Sequence, residues 1–111
     1  MWKYLKIIAM IPKEFTIAGG KKIVVNVEDL VKSSGDYVFG DFNTASNIIR
    51  IAEKVKIDDE DIKQTDEDLE RTFYHELIHS FQFYAGMELD ETVAQTFSNF
   101  LYEYVKSKKG C

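Results

Sequence analysis

The sequence predicts an α+β fold: a small antiparallel or mixed β-sheet packed on two helices at the C-terminal end. Three features carry this expectation. Residues up to about position 52 form short β-rich runs broken by glycines and polar turns. Residues 66–108 place apolar side chains three and four apart, the period of a helix buried on one side. The chain has 111 residues, 45% of them hydrophobic and 30% charged, which is enough for one real core and predicts a single domain spanning 1–111.

The elements follow in order. Met1 to Met10 reads as a strand, interrupted by Lys3 and Lys6. Glu14 to Ala18 and Lys21 to Val27 read as a hairpin about Gly19-Gly20, with Ile23, Val25 and Val27 alternating against Lys22, Val24 and Asn26. Glu28 to Ser33 reads as a helical turn. Tyr37 to Phe42 and Asn47 to Ala52 read as strands joined by Asn43-Thr44-Ala45-Ser46, with Gly40-Asp41 taken as a turn. Lys54 to Asp68, with Asp58-Asp59-Glu60-Asp61 inside it, reads as a solvated linker. A first helix is predicted from Asp66 to Ala85, capped by Thr65 or Asp66 and stopped by Gly86. A second is predicted from Asp90 to Lys108. Glu70 near the start of the first and Lys106 near the end of the second suit the helix dipoles.

Composition excludes several functions. A net charge of −5 argues against a nucleic-acid binder, because phosphate recognition rests on an excess of Lys and Arg. The one cysteine, Cys111, can form neither an internal disulfide nor a cysteine metal knuckle, which fits a reducing compartment. No run approaches the ~20 apolar residues of a membrane span, and no leader-peptidase site follows the N-terminal segment. A cytoplasmic protein without membrane contact is expected.

The informative segment is Thr72-Phe73-Tyr74-His75-Glu76-Leu77-Ile78-His79, an H-E-x-x-H pattern using both histidines of the chain. On a helix, residues four apart lie one above the other, so His75 and His79 can aim at one point as two ligands of a tetrahedral zinc ion. Glu76 stands about 100° round from His75 and about 60° from His79, placed to act on a metal-activated water rather than on the metal. Leu69, Phe73, Tyr74, Leu77, Ile78, Phe81, Tyr84 and Ala85 form the apolar side of this helix. Thr72, His75, Glu76, His79, Gln82 and Phe83 form the other.

Catalytic zinc needs a third protein ligand. Glu91, on the first turn of the second helix, comes back over the histidines if Gly86-Met87-Glu88-Leu89 reverses the chain; Asp90 and Glu88 are its rivals. Asp90 also suits an N-cap, or a carboxylate orienting an imidazole. Val93, Phe97, Phe100, Leu101 and Tyr104 form the expected inward stripe of the second helix, with Glu91 at its flank and Gln95 and Asn99 in solvent. Tyr84, Tyr102, Tyr104 and Arg50 are the candidates for stabilising an oxyanion.

On these residues, together with Gly86 and Asp90-Glu91-Thr92-Val93, the sequence resembles the HExxH zincin metallopeptidases, above all the gluzincin branch and its minimal bacterial and phage-encoded members. Gly19-Gly20, Val25, Gly40 and the run Ile48-Ile49-Arg50-Ile51 are similar in order and spacing. The Met-turn and third histidine of metzincins are absent, as is the N-E-x-x-D form of the thermolysin group. The resemblance implies a sheet packed on the active-site helix, one Zn²⁺ per chain, a peptide or protein substrate, and an edge strand near Asn47–Ala52 that pairs with it. The expected function is therefore zinc-dependent peptide-bond hydrolysis, with His75, His79 and Glu91 on the metal and Glu76 as the catalytic acid–base. The alternative is a zinc- or peptide-binding module on the same scaffold without turnover.

Overall fold

A computed structural model describes residues 11–108 and shows the predicted α+β class. The strand predicted over Met1 to Met10 lies outside the described residues, as does Cys111. Among the described residues, eight strands precede two helices. The main sheet has four strands in the order β1-β2-β6-β5. β1 (Glu14–Ile17) and β2 (Lys21–Glu28) form the predicted antiparallel hairpin. β6 (Ile48–Ala52) runs parallel to β2, with Val25 beside Ile49 and Val27 beside Ile51. β5 (Gly40–Asn43) runs antiparallel to β6. The sheet is therefore mixed.

One face of this sheet is apolar because of the strand period of two. Ile23, Val25, Ile49 and Ile51 point the same way, and Ile11, Phe73 and Tyr74 complete the buried cluster. On the other face Arg50 and Asp41, opposite each other across β6 and β5, form an ion pair with Arg50 Nε 2.9 Å from Asp41 Oδ1.

Four expectations about the strands are corrected. Val31–Ser33 is strand β3, hairpinned to β4 (Asp36–Val38), where a helical turn was expected. Ser34 and Gly35 at positive φ make the two-residue loop that strand twist favours. The single strand expected over Tyr37 to Phe42 is split between β4 and β5, and Gly40-Asp41 lies in β5 rather than in a turn. The acidic linker is a second hairpin, β7 (Lys54–Ile57) and β8 (Glu60–Lys63), turning through Asp58 and Asp59 at φ 52° and 64°. Only Val55 of this hairpin is buried, so the hydrophobic alternation that marks a strand is missing. Finally, β6 is an interior strand. The open edge beside the helices belongs to β5.

The helices are α1 (Asp66–Tyr84) and α2 (Glu91–Ser107). Thr65 caps α1 through its hydroxyl, which accepts from the Asp68 N–H at 3.1 Å. Gly86 at φ 75° ends it in a Schellman turn. Its N–H bonds the Phe83 carbonyl, and Met87 N–H bonds that of Gln82. Asp90 caps α2, accepting from Val93 N–H at 2.9 Å. The two helices pack antiparallel, as Tyr102 donating to Glu67 and Glu91 meeting His79 require.

The apolar stripes are rotated from those expected. α2 meets α1 through Ala94 and Ser98, both buried, with Leu101, Tyr102 and Val105 beside the core. Phe97, Phe100 and Tyr104, expected inside, are exposed, as is Phe81 of α1. Small side chains at the contact let the helices approach closely, and the polar bonds along their seam fix the rotation. Glu70 and Lys106, read as dipole partners of separate helices, form an ion pair at 2.7 Å between a buried carboxylate and an exposed lysine.

Candidate functional site

β5, the Asp68–His79 stretch of α1, and the first turns of α2 enclose a cleft of about 770 Å³. Helical spacing places His75 and His79 on its wall with ring centroids 4.8 Å apart. The Schellman turn and the Asp90 cap return the chain so that Glu91 stands over both rings. Glu91 Oε2 lies 3.0 Å from His75 Nε2, and Oε1 lies 2.8 Å from His79 Nε2. The ligand atoms of His75, His79 and Glu91 all lie within 4.8 Å of one another, the one such group among the described residues. Of the three carboxylates weighed from sequence, Glu91 is the one brought to the histidines. Asp90 is an N-cap, and Glu88 is exposed in the connection outside the group.

The surroundings of His79 define what this cluster needs. The Gln82 amide nitrogen donates to the Asp90 carbonyl at 3.3 Å, so its oxygen faces the imidazole, 2.9 Å from His79 Nδ1. Nδ1 is therefore the protonated donor, and Nε2 points at the Glu91 carboxylate. A neutral imidazole has one N–H and one lone pair. With Nδ1 donating, the lone pair of Nε2 confronts an anionic oxygen, which is repulsive unless a cation stands between them. A proton on Nε2 or a metal ion satisfies that demand. Two imidazole nitrogens and a carboxylate are a donor set that zinc accepts, and Gln82 is the outer partner that orients such a histidine. Gln82 was placed on the ligand face in the sequence, but its role was not read; the signal available was its spacing of three from His79.

Glu76 is 6% exposed and makes no hydrogen bond or ion pair among the described residues. Burial pushes its carboxyl up to about 8, with the negative charges of Glu91 and Asp41 adding to the effect. Glu91 is held below its usual value by the histidines against the opposing effect of its own desolvation. β5 comes unusually close to α1 at Thr72, one turn before Glu76. A Cβ on Gly40 would lie 2.7 Å from Thr72 Cγ2, 2.8 Å from the Arg50 carbonyl oxygen and 3.6 Å from Glu76 Cγ. Gly40 thus lets the edge strand seat against the helix face that carries the acid. Gln64 ties the same corner together, donating to the Ala52 carbonyl at 2.6 Å and accepting from the Thr72 hydroxyl at 3.1 Å.

The four candidates for oxyanion stabilisation are elsewhere. Tyr84 donates to Asn47, Tyr102 to Glu67, Tyr104 is exposed, and Arg50 is paired with Asp41; none lines the cleft. Tyr37 and Arg71 do line it, and Gln95, exposed as expected, sits at its rim. Asn99, likewise expected in solvent, is half-buried and accepts from Arg71. No protein-family model, no curated protein and no solved structure matches the chain. No helix among the described residues is long and apolar enough to cross a membrane.

Proposed function

We propose that the protein is a zinc-dependent peptidase in which His75, His79 and Glu91 hold one Zn²⁺ and Glu76 is the catalytic acid–base. The observation that carries this reading is the convergence of His75 Nε2, His79 Nε2 and the Glu91 carboxylate within 4.8 Å, with His79 Nδ1 engaged by Gln82 so that Nε2 is turned to that point. The neighbouring Glu76 supports the hydrolytic half. A metal site alone needs its three ligands, whereas Glu76 is a largely desolvated carboxylate that opens on the cleft beside them, the placement of a proton-transfer group.

Zinc, when bound, supplies Lewis acidity and hydroxide at neutral pH. The chain's own residues do the rest. His79 is fixed in its tautomer by Gln82, which is held by the Asp90 carbonyl. Glu76 lies on the cleft side of α1, where its carboxylate can take a proton from the attacking water and deliver it to the departing amine. Tyr37, Val38, Phe39 and Leu89 give the cleft apolar walls against which the side chains of a substrate can pack. The reducing, cytoplasmic setting expected from the sequence is part of this proposal.

Metal analysis of protein purified without chelators should find about one zinc per chain. Glu76→Gln should retain it and lose peptide cleavage by about 10²–10⁴-fold. Protein that binds no zinc sinks the reading. One observation favours the second reading, a zinc- or peptide-binding module without turnover: none of the four oxyanion-stabilising candidates reaches the cleft. Digestion of a peptide library separates the two, because the module predicts identical products from wild type and Glu76→Gln.

A further inference from the structure

We infer that Arg71 is the specificity-determining residue of the cleft and binds a carboxylate of the substrate within about two residues of the cleaved bond. The inference rests on the peptidase reading and adds the class of substrate to it. Arg71 lies one helical turn before His75, about 6 Å along the axis, on the same wall of the cleft. It is the one Lys or Arg that lines the cleft among the described residues.

Its guanidinium is held in place from three directions. Nε donates to Glu67 at 3.3 Å, Nη1 donates to Asn99 Oδ1 at 2.9 Å, and the group stacks 4.0 Å above the Tyr102 ring. Those contacts come from both helices and cost a flexible side chain its rotamer freedom before any ligand arrives. Nη2 makes no hydrogen bond among the described residues, and Asp68, beside it on the wall, makes no ion pair with it. A guanidinium tethered through Nε and Nη1, with Nε ion-paired to Glu67, keeps its Nη2 donors for a ligand, and a carboxylate oxygen is the acceptor that gives them the stronger, charge-assisted bond. An extended chain advances about 3.3 Å per residue, so a helical turn corresponds to roughly two residues of substrate. The carboxylate is either the chain terminus or an Asp or Glu side chain.

Three dipeptide hydroxamates serve as probes, each Phe-Ala-based: one ending in a free carboxylate, one in an amide, and one carrying Asp with an amide end. Calorimetric titration of the zinc-loaded protein should show the free-carboxylate or the Asp probe binding about tenfold tighter than the amide probe. Which of the two gains identifies the source of the carboxylate. In Arg71→Gln the difference should vanish while the amide probe binds as before, and in Arg71→Lys it should return in part. Asn99→Ala, which removes one tether, should shrink it with zinc content unchanged. Equal affinities for all three probes in the wild type overturn the inference and leave the zinc reading standing. A preference that survives in Arg71→Gln also overturns it, reducing Arg71 to a tie between the helices. Failure of the zinc reading shows separately, as absence of metal before any probe is added.

Discussion

α1 carries two buried glutamates six residues apart, and they have opposite surroundings. Glu70 is 1% exposed and saturated: Lys106 Nζ lies 2.7 Å from one oxygen, and the Tyr74 hydroxyl donates to the other at 3.1 Å. Glu76 is almost as deeply placed, yet it has no cationic or donor partner among the described residues and faces the cleft. Both cost desolvation. At Glu70 the cost is offset by an ion pair that joins the end of α2 to α1. At Glu76 no protein group among the described residues offsets it, and the carboxyl, open only to the cleft, responds by holding its proton to higher pH. The contrast separates an acid tied into the helix packing from one left open to the cleft, which is where the proposed chemistry would use it.

The strongest way to break the comparison is to exchange the losses. Glu70→Ala leaves the Tyr74 hydroxyl without its acceptor and removes the tie to Lys106, and should lower stability by about 1–3 kcal/mol, read by urea unfolding, with zinc stoichiometry unchanged. Glu76→Gln removes a buried acid with no partner to strand and should leave stability equal or higher while abolishing turnover. If Glu76→Gln unfolds the protein and Glu70→Ala does not, the two roles are reversed.

Of the two partnerships of Glu70, the one with Tyr74 is local, four residues along the helix, but the one with Lys106 is not visible in the sequence. A glutamate in a first turn and a lysine in a last turn read as dipole partners, and only antiparallel packing of the helices brings residues 36 positions apart together. The same cause hid the burial of Ala94 and Ser98. The bulky stripe Phe97, Phe100 and Tyr104 has the stronger hydrophobic pattern, but the helix rotation is set by short-range seam contacts that no periodicity reports. The site was legible because its geometry is local. Residues four apart on a helix must share a face, and an Asp90 cap after a Gly86 stop returns Glu91 to them. The β7–β8 hairpin was illegible because a strand with one buried side chain looks like a solvated charge run.

Gln82 sharpens the comparison at the ligand end. Gln82→Ala removes the acceptor that fixes His79 Nδ1–H and should weaken zinc binding about 10- to 100-fold in competition with a chromogenic chelator. The corresponding change on the assembly side, Tyr74→Phe, should leave zinc affinity alone. Gly40→Ala acts on the strand that backs Glu76. Its Cβ meets backbone as well as Thr72, so β5 has to retreat, at about 1–2 kcal/mol. Adding Thr72→Ser should restore only part of this, because the Arg50 carbonyl remains in the way.

The smallest effect isolates the assembly acid by titration. Tyr74 is pushed up to about 12, chiefly by burial and then by the Glu70 charge and hydrogen bond. In the unfolded chain the same phenol ionises near 10. Its folded value is the higher one, so the stability it lends is complete below pH 10 and is lost as pH rises from 10 to 12. By pH 11 the loss amounts to roughly 1 kcal/mol. Urea midpoints measured between pH 9 and 11 should fall in the wild type and fall less in Tyr74→Phe, with the same contrast in metal-free protein. Equal slopes would mean that the phenol is not held against Glu70, and the account of the assembly end would have to rest on Lys106 alone.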